Sequence, residues 1–195
     1  MAEIELPNTG ELEEIKAKKF TRRVALTTAI YAVILAVTAL GGNNSMKEML
    51  LAQQEAANQW AYYQAKAMRE NLYKIQRSNI EADLLERSAY LKPEARERLE
   101  SRIKRARDEE VRYSTEKKEI EAEAKKAERM RDLNKKKDPY FDFAEVLLQI
   151  SIVMASIAIL SSSRPVFSFS LVLAAVGVVL SFNGFTLLFR VPLVG

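Results

Sequence analysis

Few residues of this sequence could do chemistry, because the chain contains no cysteine and no histidine. That composition excludes thiolate nucleophiles, disulfides, Cys/His zinc sites and the usual proton shuttle at neutral pH. The sequence also has no nucleotide-binding loop, no serine-hydrolase elbow and no zinc-protease motif. We therefore expect that the protein is not an enzyme and has no catalytic residue, no cofactor and no metal.

Three polar residues stand in or beside apolar stretches. Glu145 and Gln149 are one helical turn apart at the start of one stretch, and Asn183 comes late in another. Ionisable residues inside a membrane often mark an ion or proton path. Glu145, however, lies near the expected membrane surface, where it can reach water or stabilise a helix N-terminus. We predict intramembrane polar contacts for all three residues, with a lined path as the alternative.

The segment QWAYYQAKAMRENLY, Gln59 to Tyr73, holds the only tryptophan of the chain. Alanine and aromatic residues recur there at four- and three-residue spacing, which forms two neighbouring stripes on one helix. Two stripes indicate two neighbours, one of them the return helix and the other a second subunit. An aromatic ligand site or lipid-headgroup site near the membrane surface is the alternative. The predicted assembly interface consists of Ala56, Trp60, Tyr63, Ala67, Met68 and Leu72.

Charged and apolar residues are segregated along the chain. Overall 48% of residues are hydrophobic and 29% are charged, as in an ordinary soluble domain. Residues 24–40, 146–163 and 165–189 nevertheless carry no charge, whereas residues 93–137 are densely charged. An apolar stretch of about 20 residues can cross a bilayer as a helix. The pattern therefore predicts membrane segments and one solvated segment.

We predict an all-α membrane protein with three transmembrane helices. A long antiparallel helical hairpin, a coiled coil, is inserted between the first and second of them. The predicted divisions are a polar N-terminal segment at 1–23, a transmembrane helix at 24–42, an extramembrane hairpin at 43–138 and a transmembrane hairpin at 139–195.

Glycine, asparagine and proline set these boundaries. The run Gly41 to Asn44 is expected to break the first helix, and Ser45 can cap the next one. Pro93 suits the first turn of a helix, so the turn of the hairpin is expected near residues 91–93. Pro139 is expected to end the second arm. The last two helices should then span about 143–163 and 166–189.

The second arm carries a seam at strict four- and three-residue spacing, the pattern of a coiled coil. The seam is narrow and rich in alanine, which predicts close packing against one or two helices. Its ten members are Leu99, Ile103, Ala106, Glu110, Tyr113, Lys117, Ile120, Ala124, Ala127 and Arg131.

The first apolar stretch has two interpretations, a retained anchor or a cleaved signal peptide. Val37 and Ala39 suit a cleavage site, but the preceding region is long and contains five glutamates, which favours an anchor. Basic residues between Lys16 and Arg23 argue for a cytoplasmic N-terminus, whereas Lys135 to Lys137 argue the opposite. Long translocated segments count less in this rule, so we favour a cytoplasmic N-terminus with the hairpin outside.

Three blocks resemble the bacterial family known as domain of unknown function 4337. They are GGNNSMKEMLLAQQEAANQWAYYQAKAMRENLY from Gly41 to Tyr73, FDFAEVLLQISIVMASIAIL from Phe141 to Leu160, and the late NGF from Asn183 to Phe185. The resemblance implies a bacterial inner-membrane protein with three spans and a helical insert. It implies no activity, so no site residue is carried over.

We therefore expect a membrane-anchored structural or scaffold protein, or an accessory subunit. It would assemble laterally through its hairpin and membrane helices, and a channel or transporter component is the alternative. The expected partners are the lipid bilayer and further copies of the chain or a larger membrane complex. Nucleic acid is not expected, because the net charge is only +4 and basic residues alternate with acids. The expected location is the bacterial inner membrane, with the hairpin in the periplasm.

Overall fold

The computed structural model of the chain describes residues 9–87 and 89–190, with side chains described from residue 14 onward. This described part is built of three α-helices and contains no β-strand, so the all-α prediction is confirmed. The beginning of the predicted N-terminal segment and residues 191–195 lie outside the described residues. The helices are α1 (Thr9–Arg87), α2 (Pro93–Ser161) and α3 (Arg164–Thr186).

The chain divides into two compact units. The first, here called the apolar unit, combines Met1–Met49 with Leu133–Gly195. The second, here called the charged unit, is Leu50–Asp132. All three helices contain a stretch long and apolar enough to cross a membrane.

The apolar unit has small and weakly polar residues inside and large apolar residues outside. Its fully buried side chains include Ala144, Ala155, Ser151 and Ser170, with Leu148 and Val24 as the larger members. Leucine, isoleucine, valine and phenylalanine side chains dominate its exposed surface. Small residues let helix backbones approach closely, which is how helices associate within a bilayer. The exposed large side chains of this unit include Leu26, Ile30, Val33, Val37, Val146, Ile150, Val153, Ile157, Val172, Val176 and Val179.

Helix α1 continues without a break through Gly41 to Asn44, so the predicted break there is wrong. Each glycine in a helix costs about 1 kcal/mol relative to alanine. Packing offsets this cost, because a Cβ atom added at Gly41 would lie 2.7 Å from Cε1 of Phe141 and 2.6 Å from Cζ of Phe185. The glycines thus allow two rings to approach the helix backbone. Ser45 lies in mid-helix and donates a hydrogen bond to the Asn134 carbonyl (3.1 Å).

Helix α2 likewise continues through Pro139, so the predicted start of a separate helix near Phe143 is wrong. Proline in a helix interior removes one backbone hydrogen bond and costs about 3 kcal/mol. The residues that follow it compensate, because Tyr140, Phe141 and Ala144 are all buried. Tertiary packing therefore overrides the local preference of proline.

The last two helices end close to the predicted positions. Helix α2 ends at Ser161, and Ser162 takes a left-handed conformation with φ 48°. Helix α3 then begins at Arg164, with Pro165 in its first turn. It ends at Thr186, three residues before the predicted end, because Leu187 is left-handed and donates its backbone N–H to the Asn183 carbonyl (2.7 Å).

In the charged unit, α1 packs against α2 along the predicted seam. All ten seam positions are buried or half-buried. Contacts pair Gln53 with Arg131 and Arg77 with Glu110. In these pairs the residue number on α1 rises from 53 to 77 while the number on α2 falls from 131 to 110.

Candidate assembly surface

Trp60 joins α1 to α2 in the charged unit. Its indole Nε1 donates a hydrogen bond to Oε1 of Glu128 (3.0 Å). Its ring meets Tyr63 edge to face, with centroids 5.3 Å apart and an interplanar angle of 74°. Ala56, one turn earlier on the same face, is only 3% exposed. The aromatic and alanine residues of this stripe therefore face the second helix of the same chain.

Tyr113 is the centre of the seam and is only 5% exposed. It stacks on Tyr73, with centroids 5.6 Å apart and planes at 18°. Three cations surround its ring, with Lys66 at 5.3 Å, Arg69 at 5.9 Å and Arg112 at 4.7 Å from the centroid. Cations over an aromatic face are attracted by its quadrupole. The Arg69 guanidinium also donates to the hydroxyl (3.5 Å) and lowers the pKa of Tyr113 below its ordinary value.

Cross-helix ion pairs flank this aromatic seam. Lys66 Nζ lies 2.5 Å from Oε2 of Glu116, and Lys117 Nζ lies 2.5 Å from Oε2 of Glu70. The hydrogen bond from Lys66 lowers the pKa of the Glu116 carboxyl, and the same bond raises the pKa of Lys66. The hydrogen bond to Glu70 raises the pKa of Lys117. These pairs favour one alignment of the two helices along each other. Each adds little to the stability of the folded chain, because the side chains are partly exposed.

A second face of α1 has no partner in the described part of the chain and carries no charge. It runs along the charged unit at four- and three-residue spacing, on the side that α2 does not cover. Leu50, Met68, Leu72 and Ile75 are 57–67% exposed on it. We call this surface the uncharged face. It consists of Leu50, Gln54, Ala57, Ala61, Gln64, Met68, Leu72, Ile75 and Asn79, all exposed.

The six predicted interface residues divide between these two faces. Ala56 is buried, and Trp60, Tyr63 and Ala67 are half-buried in the charged unit. Met68 and Leu72 are exposed on the uncharged face. The role of the six residues in assembly stays a prediction, and Met68 and Leu72 are the two that the structure leaves fully exposed.

The three predicted intramembrane polar residues lie in the apolar unit and make local bonds. Gln149 donates its amide to Oε1 of Glu145 (3.2 Å), along the exposed side of α2. Asn183 is fully buried, and its amide donates to the Phe189 carbonyl (2.8 Å) while its carbonyl accepts from the Phe189 N–H (3.1 Å). The structure does not bring Asn183 together with the other two residues in any described contact.

The described residues contain no group of three or more histidine, cysteine, aspartate or glutamate side chains that could hold a metal ion. Charged side chains of the charged unit are mostly engaged in salt bridges or face the surface. The chemistry that this surface offers is therefore packing and ion pairing.

Comparison with known proteins identifies the family. The model of a domain of unknown function, DUF4337, matches residues 20–187. The chain belongs to the DUF4337 family. The resemblance drawn from the sequence blocks is thereby confirmed. No curated protein and no solved structure matches the chain.

Several contacts of this DUF4337 chain have little signal in the sequence. Thr38 and Ser181 share a buried hydrogen bond (2.8 Å) between α1 and α3. Small polar residues in apolar segments are the signal for such bonds, but the sequence does not pair them. Glu128 is one of many acids on α2, and only the packing shows that it meets Trp60.

Proposed function

We propose that this chain is a membrane-anchored scaffold protein whose copies associate laterally through the uncharged face. The observation that carries the proposal is the uncharged face itself. It is exposed and free of charge, although the unit around it is densely charged. Long exposed apolar surfaces usually mark an interaction site. In this proposal the charged unit is an antiparallel helical hairpin outside the bilayer.

The absence of charge on this face favours a second copy as the occupant. A charged surface placed there would lose its water without gaining an opposite charge. The same face of another copy brings no such cost, and it offers amides from Gln54, Gln64 and Asn79 that can pair with each other. A self-complementary patch is what a two-fold symmetric interface requires.

The size of the face indicates that it does not act alone. Its helix segment is about 44 Å long and about 10 Å wide, which corresponds to roughly 400 Å² per copy. Stable complexes between soluble proteins bury about 1,200–2,000 Å² in total. We therefore propose that the membrane helices contribute the remaining contacts between copies, and that confinement to one bilayer lowers the entropic cost of their association.

The apolar unit supports the membrane part of the proposal. Its exposed leucine, isoleucine, valine and phenylalanine side chains would aggregate in water, whereas its interior is rich in alanine and serine. Such a distribution suits lipid as the solvent. The lipid bilayer is therefore the first proposed partner.

Basic residues support one orientation. Phe20 of α1 packs edge to face on Phe167 of α3, with centroids 5.9 Å apart. The basic segment 16–23 and Arg164 therefore share one end of the apolar unit. Positive charge favours the cytoplasmic side. We extend the proposal to a bacterial inner membrane, with the N-terminus in the cytoplasm and the hairpin in the periplasm.

The test is the mass of the full-length protein in a mild detergent, measured with every polypeptide in the particle identified. The variant Ala61→Glu/Met68→Glu places two acids on the uncharged face. The control Lys118→Glu makes the same change of two charge units at an exposed residue of α2. We expect oligomers for the wild type and the control and a shift to monomers for the double variant.

Equal masses for all three proteins would overturn self-association through this face. A second polypeptide in fixed ratio would instead identify an accessory subunit of a larger complex. A channel or transporter component is the remaining alternative. Nothing in the described contacts favours it, because Glu145, Gln149 and Asn183 all bond locally.

A further inference from the structure

A cavity of about 180 Å³ lies in the apolar unit, where the three helices meet beyond the apolar stretch of α1. Phe141 of α2 and Phe185 of α3 line it with an aromatic surface. These rings meet edge to face, with centroids 4.8 Å apart, and Phe141 is only 2% exposed. The aromatic side of the cavity is therefore a fixed part of the packing.

The glycines of α1 and α3 leave room for these rings beside the helix backbones. A Cβ atom at Gly184 would lie 3.0 Å from Cε1 and Cζ of Phe141, and one at Gly41 would clash with both rings. Ser45 also joins α1 to the backbone of α2 beside the cavity. The walls thus come from three helices that are tied together.

Two opposite charges line the same cavity. Glu48 comes from α1 and Lys137 from α2, and Asn44, one turn before Glu48 on α1, also lines the cavity. Among the described residues, neither charge takes part in an ion pair or a side-chain hydrogen bond. Two charges of opposite sign beside one aromatic cavity match a ligand that carries both a cation and an anion.

We propose that this cavity binds a small zwitterion that carries a primary ammonium and a phosphate, the chemistry of an ethanolamine phospholipid headgroup. Glu48 and the aromatic rings would receive the ammonium, since carboxylates and aromatic faces both attract cations. Lys137 would receive the phosphate. The volume of about 180 Å³ is more than one water molecule needs, so the cavity has room for a small polar group.

The lipid and the free zwitterion share this chemistry, and the position favours the lipid. The cavity lies at the polar ends of helices whose exposed surfaces are apolar, so a headgroup there can keep its chains along those surfaces. This part of the inference rests on the membrane attachment in the proposed function. It does not depend on self-association.

The test is calorimetric titration of the full-length protein in a neutral detergent. The probes are a short-chain phosphatidylethanolamine, the phosphatidylglycerol of the same chain length, and water-soluble phosphoethanolamine. We expect the ethanolamine lipid to bind roughly tenfold more tightly than the glycerol lipid, since one charge-assisted hydrogen bond distinguishes them. Glu48→Gln should remove this difference, and Lys137→Gln should weaken both lipids roughly tenfold.

Matched controls are Asp142→Asn and Lys136→Gln, which neutralise exposed residues near the cavity without lining it. Both should bind like the wild type, and circular dichroism should show the same helix content in all four variants. Binding of phosphoethanolamine as tight as that of the lipid would identify the free zwitterion as the ligand. Equal binding of both lipids, or an unchanged affinity in Glu48→Gln, would overturn the proposal.

A failure here is distinguishable from a failure of the proposed function. Loss of lipid discrimination with intact oligomers would overturn the cavity proposal alone. Monomers that still discriminate between the lipids would overturn self-association alone.

Discussion

Trp60 lies in one of two neighbouring stripes on α1. Its spacing with Ala56 and Tyr63 correctly indicates a packing stripe. Two stripes lie side by side on this helix, however, and spacing alone does not decide which one α2 covers. The structure turns Trp60 toward Glu128 of the same chain and leaves Met68 and Leu72 exposed.

Trp60→Ala should therefore destabilise the charged unit itself. The substitution removes the hydrogen bond to Glu128 and the edge contact with Tyr63. We expect a loss of about 2 kcal/mol, below the about 3–5 kcal/mol typical of fully buried aromatics, because Trp60 is only half-buried. Trp60→Phe keeps a ring and should lose about 1 kcal/mol. Denaturant unfolding followed by circular dichroism measures both losses. An unchanged stability in Trp60→Phe would contradict the role of the hydrogen bond, and equal losses in the two variants would contradict the role of the ring contact.

Acid should weaken the pairing of Lys66 with Glu116. The pKa of Glu116 is lowered in the folded chain. The stability that its carboxylate contributes to the fold is therefore present above the unfolded pKa of about 4.3, and it is lost as pH falls through the folded pKa. Glu116→Gln should lower the Tm at pH 7 and reduce the further fall in Tm on acidification to about pH 3. Glu123→Gln, at an exposed position, serves as control and should keep the wild-type pH dependence.

The helices extend further than their local residues suggest. Gly41, Gly42 and Pro139 are all residues that end helices in isolation, yet α1 and α2 run through them. In each case aromatic packing nearby supplies more free energy than the local preference costs. Small residues inside the apolar unit thus allow its helices to approach each other closely.

Gly41→Ala tests this interpretation of α1. Alanine is the better helix former by about 1 kcal/mol, so a purely local view expects stabilisation. We expect destabilisation by about 1–3 kcal/mol instead, because the new Cβ would overlap the rings of Phe141 and Phe185. Adding Phe185→Leu should recover part of the loss. Thermal unfolding in detergent measures the effect, and a raised Tm for the single variant would refute the packing argument.

At the scale of the whole molecule, the apolar and charged units have opposite distributions of residues. The apolar unit exposes large apolar side chains, and the charged unit exposes ions while burying a narrow seam. Each distribution matches a different solvent, lipid for one and water for the other. This contrast underlies the proposal of three spans.

Three spans predict which ends lie on the same side of a membrane. The chain has no cysteine, so single cysteines can be introduced without background. We expect Lys118→Cys and Arg190→Cys to react with a membrane-impermeant maleimide from one side of sealed vesicles, and Arg164→Cys from the other. Labelling of all three from one side would be inconsistent with three spans. Detergent-solubilised protein, in which all three should react, is the control.

The sequence by itself determined the helical class, the three apolar stretches and the ten-residue seam of α2. These features depend on composition and periodicity, and a long helix repeats the same pattern over many turns. Tertiary structure alone decided the continuity of α1 through Gly41 and of α2 through Pro139, because packing against distant rings outweighs local preference there. It also decided which stripe of α1 stays uncovered and which charges meet at the cavity. Those outcomes depend on contacts between residues far apart in the chain, which spacing along one helix does not specify.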